Sequence, residues 1–323
     1  MSPARIRTLV TGGTGFLGIN LVRALHATGR DLLVIGRHPP KEQEPAAFKT
    51  ADLLNKSSLD LALQEFRPHE VIHLGAKTDF VTWEDPLGYR TNTEGTRNLL
   101  HSCVESRVER LIVASSHVVL RPEQFGMEKQ NYATSKLAME EIVKQIDTSA
   151  LTWTIIRPCS IWGPHFRSPF REFFQSISKG RYANLGTVDV PKRLGYVGNT
   201  CHQIHKLLEA PQNDVHGRTL YLADYETTTL RAWSDMIAHE LGVRRPRSVP
   251  NLVVDMGARA GDILQKLGYK NPPLTTFRLA NMRTDTSSIP IDDIKRLVDP
   301  LPYTLDEGVK LTARWLKSQG LVR

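Results

Sequence analysis

The chain has 323 residues, 40% of them hydrophobic and 24% charged, and a net charge of +8. That length holds one large domain or two, in a composition ordinary for a soluble globular protein. No apolar run reaches the ~20 residues that span a bilayer; the cysteines Cys103, Cys159 and Cys201 form no CxxC pair and suit a reducing compartment; and the basic residues are spread out rather than set in a stripe with interleaved aromatics, which excludes a nucleic-acid module and suits an anionic small substrate.

Arg5 to Val10 reads as a short buried strand, and Phe16 to His26 as a helix with Phe16, Leu17, Leu21, Val22 and Leu25 toward one side. Between them runs Thr11-Gly12-Gly13-Thr14-Gly15-Phe16-Leu17-Gly18. Glycines at 12, 15 and 18 allow a tight turn, a close approach to phosphate and packing of helix on strand. The helix N-terminus then offers free N–H groups and the positive end of its dipole to a pyrophosphate. The polar Thr11 to Thr14 also interrupts the first apolar stretch, so no signal-peptide core is present and a cytoplasmic location is expected.

Further strands are predicted at Asp31–Gly36, Val71–Gly75, Arg110–Ser115 and Thr152–Arg157, with helices near Ser58–Phe66, Thr93–Ser106 and Tyr132–Ile146. Strands separated by helices predict an α/β fold, a doubly wound Rossmann-type parallel sheet with ligands at the carboxyl ends of its strands. Gly12, Gly36, Gly75, Ser116 and Pro158 all fall at such ends. After Pro164 the pattern changes: Phe170, Phe173, Phe174 and Ile177 mark a short helix, and Gly217–Leu222 a strand returning to the sheet. The remainder is helical and punctuated by proline. Its segment Asn251–Leu267 carries Leu252, Met256, Ile263 and Leu264 on one side. The polar face there mixes charges, so this side is expected to pack on its own domain rather than lie on a membrane. The expected division is a cofactor domain over 1–165, rejoined by 193–225, and a smaller, mostly helical substrate region over 166–192 and 226–323.

The chemistry centres on Tyr132-Ala133-Thr134-Ser135-Lys136. A spacing of four puts Tyr132 and Lys136 one helical turn apart on one face. A free tyrosine has a pKa of about 10, and a nearby ammonium favours the phenolate, so the pair can act as acid/base for an alcohol or carbonyl. Upstream, Leu111 to Ser116 is an apolar strand ending in two serines, either of which could hold the reacting oxygen. Downstream, the end of the Thr152–Pro158 strand could wall a nicotinamide pocket. His73 reads as a packed strand-end histidine. His202 and His205 lack further ligands at metal spacing, so no metal is expected. Cys159 reads as pocket lining, since no paired base is evident.

This combination resembles the extended short-chain dehydrogenase/reductase family (the NAD-dependent epimerase/dehydratase family), over most of the chain and densely to about residue 165. The glycine turn is similar to its cofactor fingerprint, Asp52-Leu53 to its pair beside adenine, and His73-Leu74-Gly75-Ala76 to its His-x-Ala-Ala strand end. Asn92 to Leu100 resembles the helix that follows. Ser115-Ser116, Tyr132 and Lys136 resemble its catalytic strand and helix, and Arg157-Pro158 with Gly163-Pro164 its Arg-Pro-x-x-x-x-Gly-Pro segment. Tyr196-Val197-Gly198-Asn199, the run Pro302 to Gly308 and Trp315-Leu316 resemble its C-terminal segments, with Asn199 where the family has an acid.

The resemblance implies roles. Tyr132 is the proton donor or acceptor, Lys136 tunes it and holds the nicotinamide ribose, Ser116 orients the substrate oxygen, and Asn92 supports the site. Gly12, Thr14, Gly15, Phe16, Leu17, Gly18, Arg37, Asp52, Leu53, Leu74, Gly75, Ala76 and Pro158 contact the cofactor together with Tyr132 and Lys136. At the end of the second strand an NAD site places an acid on the ribose hydroxyl. Here Gly36 is followed by Arg37, whose guanidinium suits a 2′-phosphate, so NADP is expected ahead of NAD. The reading is a reductase or epimerase acting on a nucleotide-linked sugar, with Arg193, helped by Lys192, on the diphosphate. The segment from Ser116 to Tyr132 is shorter than in sugar-nucleotide epimerases, which suggests the alternative of an NADPH-dependent ketone reductase of the dihydroflavonol or hydroxysteroid type. A non-catalytic NADP-binding sensor is the alternative of another class. Helices like Thr93–Ser106 and Tyr132–Ile146 pair subunits in the family, so a homodimer is implied.

Overall fold

A strand–helix rhythm occupies the first two thirds of the chain. In order come β1 (Arg7–Thr11), α1 (Phe16–His26), β2 (Asp31–Gly36), β3 (Ala47–Thr50), α2 (Lys56–Phe66), β4 (Glu70–His73), α3 (Arg90–Glu105), β5 (Arg110–Ala114), α4 (Gly126–Lys144) and β6 (Thr152–Pro158). Then follow β7 (Ser160–Trp162), α5 (Phe170–Ser178), β8 (Asn184–Leu185), β9 (Pro191–Lys192), β10 (Leu194–Tyr196), α6 (Val197–Glu209), α7 (Gln212–Val215) and β11 (Arg218–Leu222). The chain ends with β12 (Thr228–Thr229), α8 (Leu230–Glu240), β13 (Ser248–Val249), α9 (Asn251–Lys266), α10 (Thr276–Arg283), α11 (Asp292–Leu297) and α12 (Leu305–Ser318). This computed structural model describes residues 5–78, 86–120, 126–146, 151–186, 189–269, 272 and 274–322.

Seven strands form one parallel sheet in the order β11-β6-β5-β4-β1-β2-β3. The order reverses between β1 and β4, the switch point at which such sheets open a crevice for ligand. Leu9, Val10, Val71, Ile72, Leu111, Ile112, Val113, Ile155 and Ile156 are buried, as expected of strands covered on both faces. One core lies between the sheet and the side of α2, α3 and α4, through Leu59, Leu63, Leu99, Leu100, Met139 and Val143. The other lies beneath α1 and α6 and runs without a break into the C-terminal segments, where Trp233 packs on Trp162 at 5.1 Å and on Phe174 at 5.8 Å between ring centroids. The C-terminal region is thus welded to the sheet by shared aromatic burial rather than joined by a linker.

Two expectations need correction. β3 is absent from the sequence reading: Ala47-Phe48-Lys49-Thr50 has a single ring to pack and lies at the sheet edge, so no apolar run marks it. More consequentially, the large apolar side of α9 does not pack on its own domain. Leu252, Met256 and Ile263 are 72%, 63% and 60% exposed, while Val254, Ala258 and Gly261 are the buried positions. They meet Leu279 and Leu274 in a small cluster of their own.

Candidate active site

The glycine turn closes against the end of β4. Gly12 has φ +70, which a side chain adopts only with strain, and a Cβ there would sit 2.7 Å from the backbone nitrogen of Gly75. Gly15 N–H donates to Gly12 O at 3.0 Å and tightens the turn. Gly15 is also the N-cap of α1; having no side chain, it caps nothing, and the first turn holds no acid. The helix N–H groups and dipole are therefore open to an anion, so the cradle fits the pyrophosphate of a dinucleotide. Thr14, Phe16 and Leu17 are half-buried around it, and Gly18 is buried. Leu53 lies 3.1 Å from a Cβ built on Gly75, and its carbonyl accepts from Asn98 Nδ2 at 2.9 Å. The Asp52 carboxylate accepts from Leu54 N–H at 3.0 Å. Leu74, Gly75 and Ala76 continue from β4 half-exposed, and Pro158 ends β6, buried. Arg37 stands exposed just after β2 and makes no ion pair or hydrogen bond among the described residues.

Tyr132 lies in the second turn of α4, which begins earlier than the sequence suggests, at Gly126. Its hydroxyl is hydrogen-bonded to the Ser116 side chain at the end of β5. Ser115, one residue earlier, is buried with its Oγ unpartnered among the described residues, so the second serine is the one turned to the tyrosine. Lys136 is buried, and its Nζ donates to the Ala114 carbonyl at 2.7 Å. The two pKa directions differ from the sequence expectation. Burial pushes Tyr132 up to about 12, against the Ser116 hydrogen bond that lowers it. Lys136 is not among the groups that shift Tyr132; its Nζ is held on the Ala114 carbonyl, and burial brings its own pKa down to about 8. Asn92, fully buried on α3, donates to Ser135 Oγ at 3.0 Å and accepts from Lys77 N–H at 2.8 Å. Ser135 Oγ in turn donates to the Tyr132 carbonyl at 2.7 Å, so Asn92 fixes the α4 turn that carries the tyrosine. Residues 121–125 of the shortened loop lie outside the described residues.

Sequence reasoning missed the support behind these side chains. Tyr89 is buried against Tyr132, with ring centroids 6.3 Å apart. Glu140, one turn beyond Lys136 and fully buried, takes a bidentate pair from Arg157 at 2.8 and 2.6 Å, and Arg157 also donates to Tyr221 Oη at 2.6 Å. The Glu140 carboxylate opposes the fall in the Lys136 pKa. The repeat of four from Tyr132 to Lys136 to Glu140 was the available signal. His73 links three elements. Thr96 Oγ1 donates to Asn92 O at 2.8 Å, so it must accept from His73 Nε2 at 3.0 Å. His73 Nδ1 then accepts from Thr11 Oγ1 at 2.7 Å, and Thr11 Oγ1 accepts from Gly75 N–H at 2.9 Å. Burial, with Lys136 nearby, drops His73 to about 3 and keeps it neutral.

The expected anion contacts are occupied internally. Arg193 makes four hydrogen bonds to carbonyls: Nε and Nη2 to Ser287 O at 3.2 and 3.1 Å, and Nη1 to Asp224 O and Tyr225 O at 3.2 and 2.8 Å. Of the five N–H donors of a guanidinium, one is left. Lys192 Nζ donates to the carbonyls of Asn281, at 3.0 Å, and Thr284, where α10 ends. Asn199 donates to Asp224 Oδ1 at 2.8 Å and to Tyr303 O at 2.9 Å. An acid there would face Asp224, half-buried and pushed up by desolvation to about 6, which accounts for the amide. Cys159 is buried, which raises its thiol pKa well above the usual range.

The sequence model of the NAD dependent epimerase/dehydratase family matches residues 8–223. The uncharacterized protein YbjS of Escherichia coli (strain K12) is 28% identical over 98% of this chain and 99% of its own length. A 3-beta-hydroxysteroid dehydrogenase of Mycolicibacterium neoaurum is 27% identical over 93% of this chain and 92% of its own. The N-acetyl-alpha-D-glucosaminyl-diphospho-ditrans,octacis-undecaprenol 4-epimerase of Escherichia coli O157:H7 is 25% identical over 95% of this chain and 94% of its own. Among solved structures, a UDP-glucose 4-epimerase of Thermotoga maritima with UDP-glucose superposes with a TM-score of 0.72 over 97% of this chain and 99% of its own; at 18% identity that likeness shows the fold. The chain belongs to the NAD dependent epimerase/dehydratase family, a family of NAD-dependent oxidoreductases and epimerases.

Proposed function

We propose that the chain moves hydride between a nicotinamide and a carbon bearing a hydroxyl or keto group, with Tyr132 as its acid/base. The observation that carries this reading is the Tyr132–Ser116 hydrogen bond, with Lys136 one turn along, at the carboxyl ends of the central strands. A bound dinucleotide supplies or accepts the hydride. In the reductive direction the Tyr132 hydroxyl gives its proton to the carbonyl oxygen as that oxygen gains charge, and Ser116 Oγ holds the same oxygen in place. A tyrosine near pKa 12 is fully protonated at neutral pH, so the site stands loaded for reduction. In oxidation Tyr132 takes the hydroxyl proton instead. Lys136 holds the nicotinamide ribose beside it, and Arg37, exposed after β2 and unpaired among the described residues, meets a 2′-phosphate, which favours NADPH and with it net reduction.

For the substrate we favour a lipophilic hydroxy or keto compound, the hydroxysteroid-type alternative, over a free nucleotide sugar. The support is that the two cations expected to hold a diphosphate, Arg193 and Lys192, are spent on backbone carbonyls. A dehydrogenase that matches nearly the whole chain is named for a 3-beta-hydroxysteroid. A panel of steroid and long-chain ketones beside UDP- and GDP-sugars, with NADPH and NADH, tests both parts. The expected result is NADPH-dependent reduction of lipophilic ketones, lowered roughly a thousandfold in Tyr132→Phe with NADPH binding retained. Turnover of a free nucleotide sugar alone would overturn the substrate reading. Turnover undiminished in Tyr132→Phe would overturn the mechanism.

A further inference from the structure

The outer face of α9 is apolar and uncovered among the described residues. Leu252, Val253, Met256, Ile263, Leu264 and Leu267 are 72%, 56%, 63%, 60%, 45% and 78% exposed. At 3.6 residues per turn these six positions fall within an arc of about 120°, opposite the buried Val254, Ala258 and Gly261. Single exposed leucines are ordinary, but a continuous stripe of them marks a surface that meets something apolar.

The charges around the stripe indicate what it meets. Both acids of α9 are turned away toward α10: Asp255 pairs with Arg283 at 2.7 Å, and Asp262 accepts from Thr276 N–H at 3.0 Å and Thr276 Oγ1 at 2.7 Å. The polar face is therefore less mixed than its composition suggests. Arg259 and Lys266, both exposed, border one edge of the stripe. Arg244, Arg245 and Arg247 precede the helix, exposed and in no ion pair among the described residues. A two-fold antiparallel pairing of two such helices would set Arg259, at the middle of the helix, against its own copy. An anionic lipid surface neutralises all these cations while taking up the leucines.

We propose that α9 docks this protein on the surface of an anionic bilayer, with the stripe at the boundary of headgroups and acyl chains and the arginines on lipid phosphates. The docking is independent of the substrate reading, since its test needs neither substrate nor turnover. Full-length protein is sedimented with vesicles of phosphatidylcholine alone, or of equal parts phosphatidylcholine and phosphatidylglycerol. The expected result is capture by the mixed vesicles, weakened by salt. Replacing Leu252→Gln, Met256→Gln and Ile263→Gln together, exposed positions where glutamine keeps helix propensity, is expected to weaken capture roughly a hundredfold. The second variant, Arg244→Glu with Arg245→Glu, is expected to weaken it roughly tenfold or more and to flatten the salt dependence. Both should melt as the wild type does. Wild-type protein left in the supernatant with both vesicles would overturn the proposal, and so would glutamine variants captured like the wild type. A self-association in vesicle-free solution that the glutamine variants lose, with no capture by vesicles, would assign the stripe to a second copy instead.

Discussion

Acid should destabilise this protein through His73 in a way that one substitution can isolate. In the folded state the ring is fully buried and bonded as the neutral form between Thr11 and Thr96, and its pKa falls to about 3, mainly from burial and further from Lys136. In the unfolded chain it returns to about 6.5. Above pH about 6.5 both states are neutral and the ring adds no pH dependence; below it the unfolded chain takes up a proton that the native state refuses. Stability is therefore intact at neutral pH and lost progressively as the pH falls toward 3. One pKa unit corresponds to about 1.4 kcal/mol, so at two units below 6.5 the loss from this group is about 3 kcal/mol. His73→Gln does not titrate. At pH 7 it costs about 1–3 kcal/mol, because the bond to Thr11 Oγ1 is lost in the interior. The two effects oppose each other, so the wild type is the more stable form at neutral pH and the margin closes or reverses near two units below 6.5. Urea unfolding of both proteins across that range measures it, since carboxylates common to both cancel in the difference. Curves that stay parallel from neutral to acid would show that His73 is not held neutral by burial, and the Thr11–His73–Thr96 relay would have to be abandoned.

Glu140→Gln removes the carboxylate that clamps Arg157 and leaves a half-buried cation without its partner, a loss of about 3 kcal/mol. With an unfolding entropy of about 0.7 kcal/mol per kelvin for 323 residues, a thermal melt should move down by about 4 °C. The same change lets the Lys136 pKa drop further below about 8, so the alkaline limb of cofactor binding should shift to lower pH; an unmoved limb would separate Glu140 from Lys136. Arg37→Ser should raise KM for NADPH roughly ten- to hundredfold and leave KM for NADH nearly unchanged, and equal effects on both would assign Arg37 to adenine stacking. Light scattering should find a homodimer through α3 and α4, which expose Val104 and Leu137; Val104→Glu should dissociate it, and a monomeric wild type would refute the pairing.

The central sheet could be read because its strands are buried on both faces and so appear as unbroken apolar runs, Leu9-Val10, Val71-Ile72 and Leu111-Ile112-Val113. The proposed pair, Tyr132 and Lys136, could be placed together because they lie one turn apart on a single helix. Neither kind of pattern reaches across the chain. Ser115 and Ser116 are alike as residues, and only the direction in which each leaves the strand end separates the one bonded to Tyr132 from the one left unpartnered. Arg193 showed its charge in the sequence but not its partners, carbonyls 31, 32 and 94 residues away, and a guanidinium saturated by backbone has little left for a ligand. α9 fails for a related reason. Its period is plain, and the reading assigned the larger apolar side chains to the interior. But a Cβ on Gly261 would collide with the carbonyl of Leu274, so that segment can approach only a face made of Gly261, Ala258 and Val254. A helix turns inward the face that lets another backbone come close, which need not be its most apolar one. Here the two faces differ, and the one displaced outward carries the leucines.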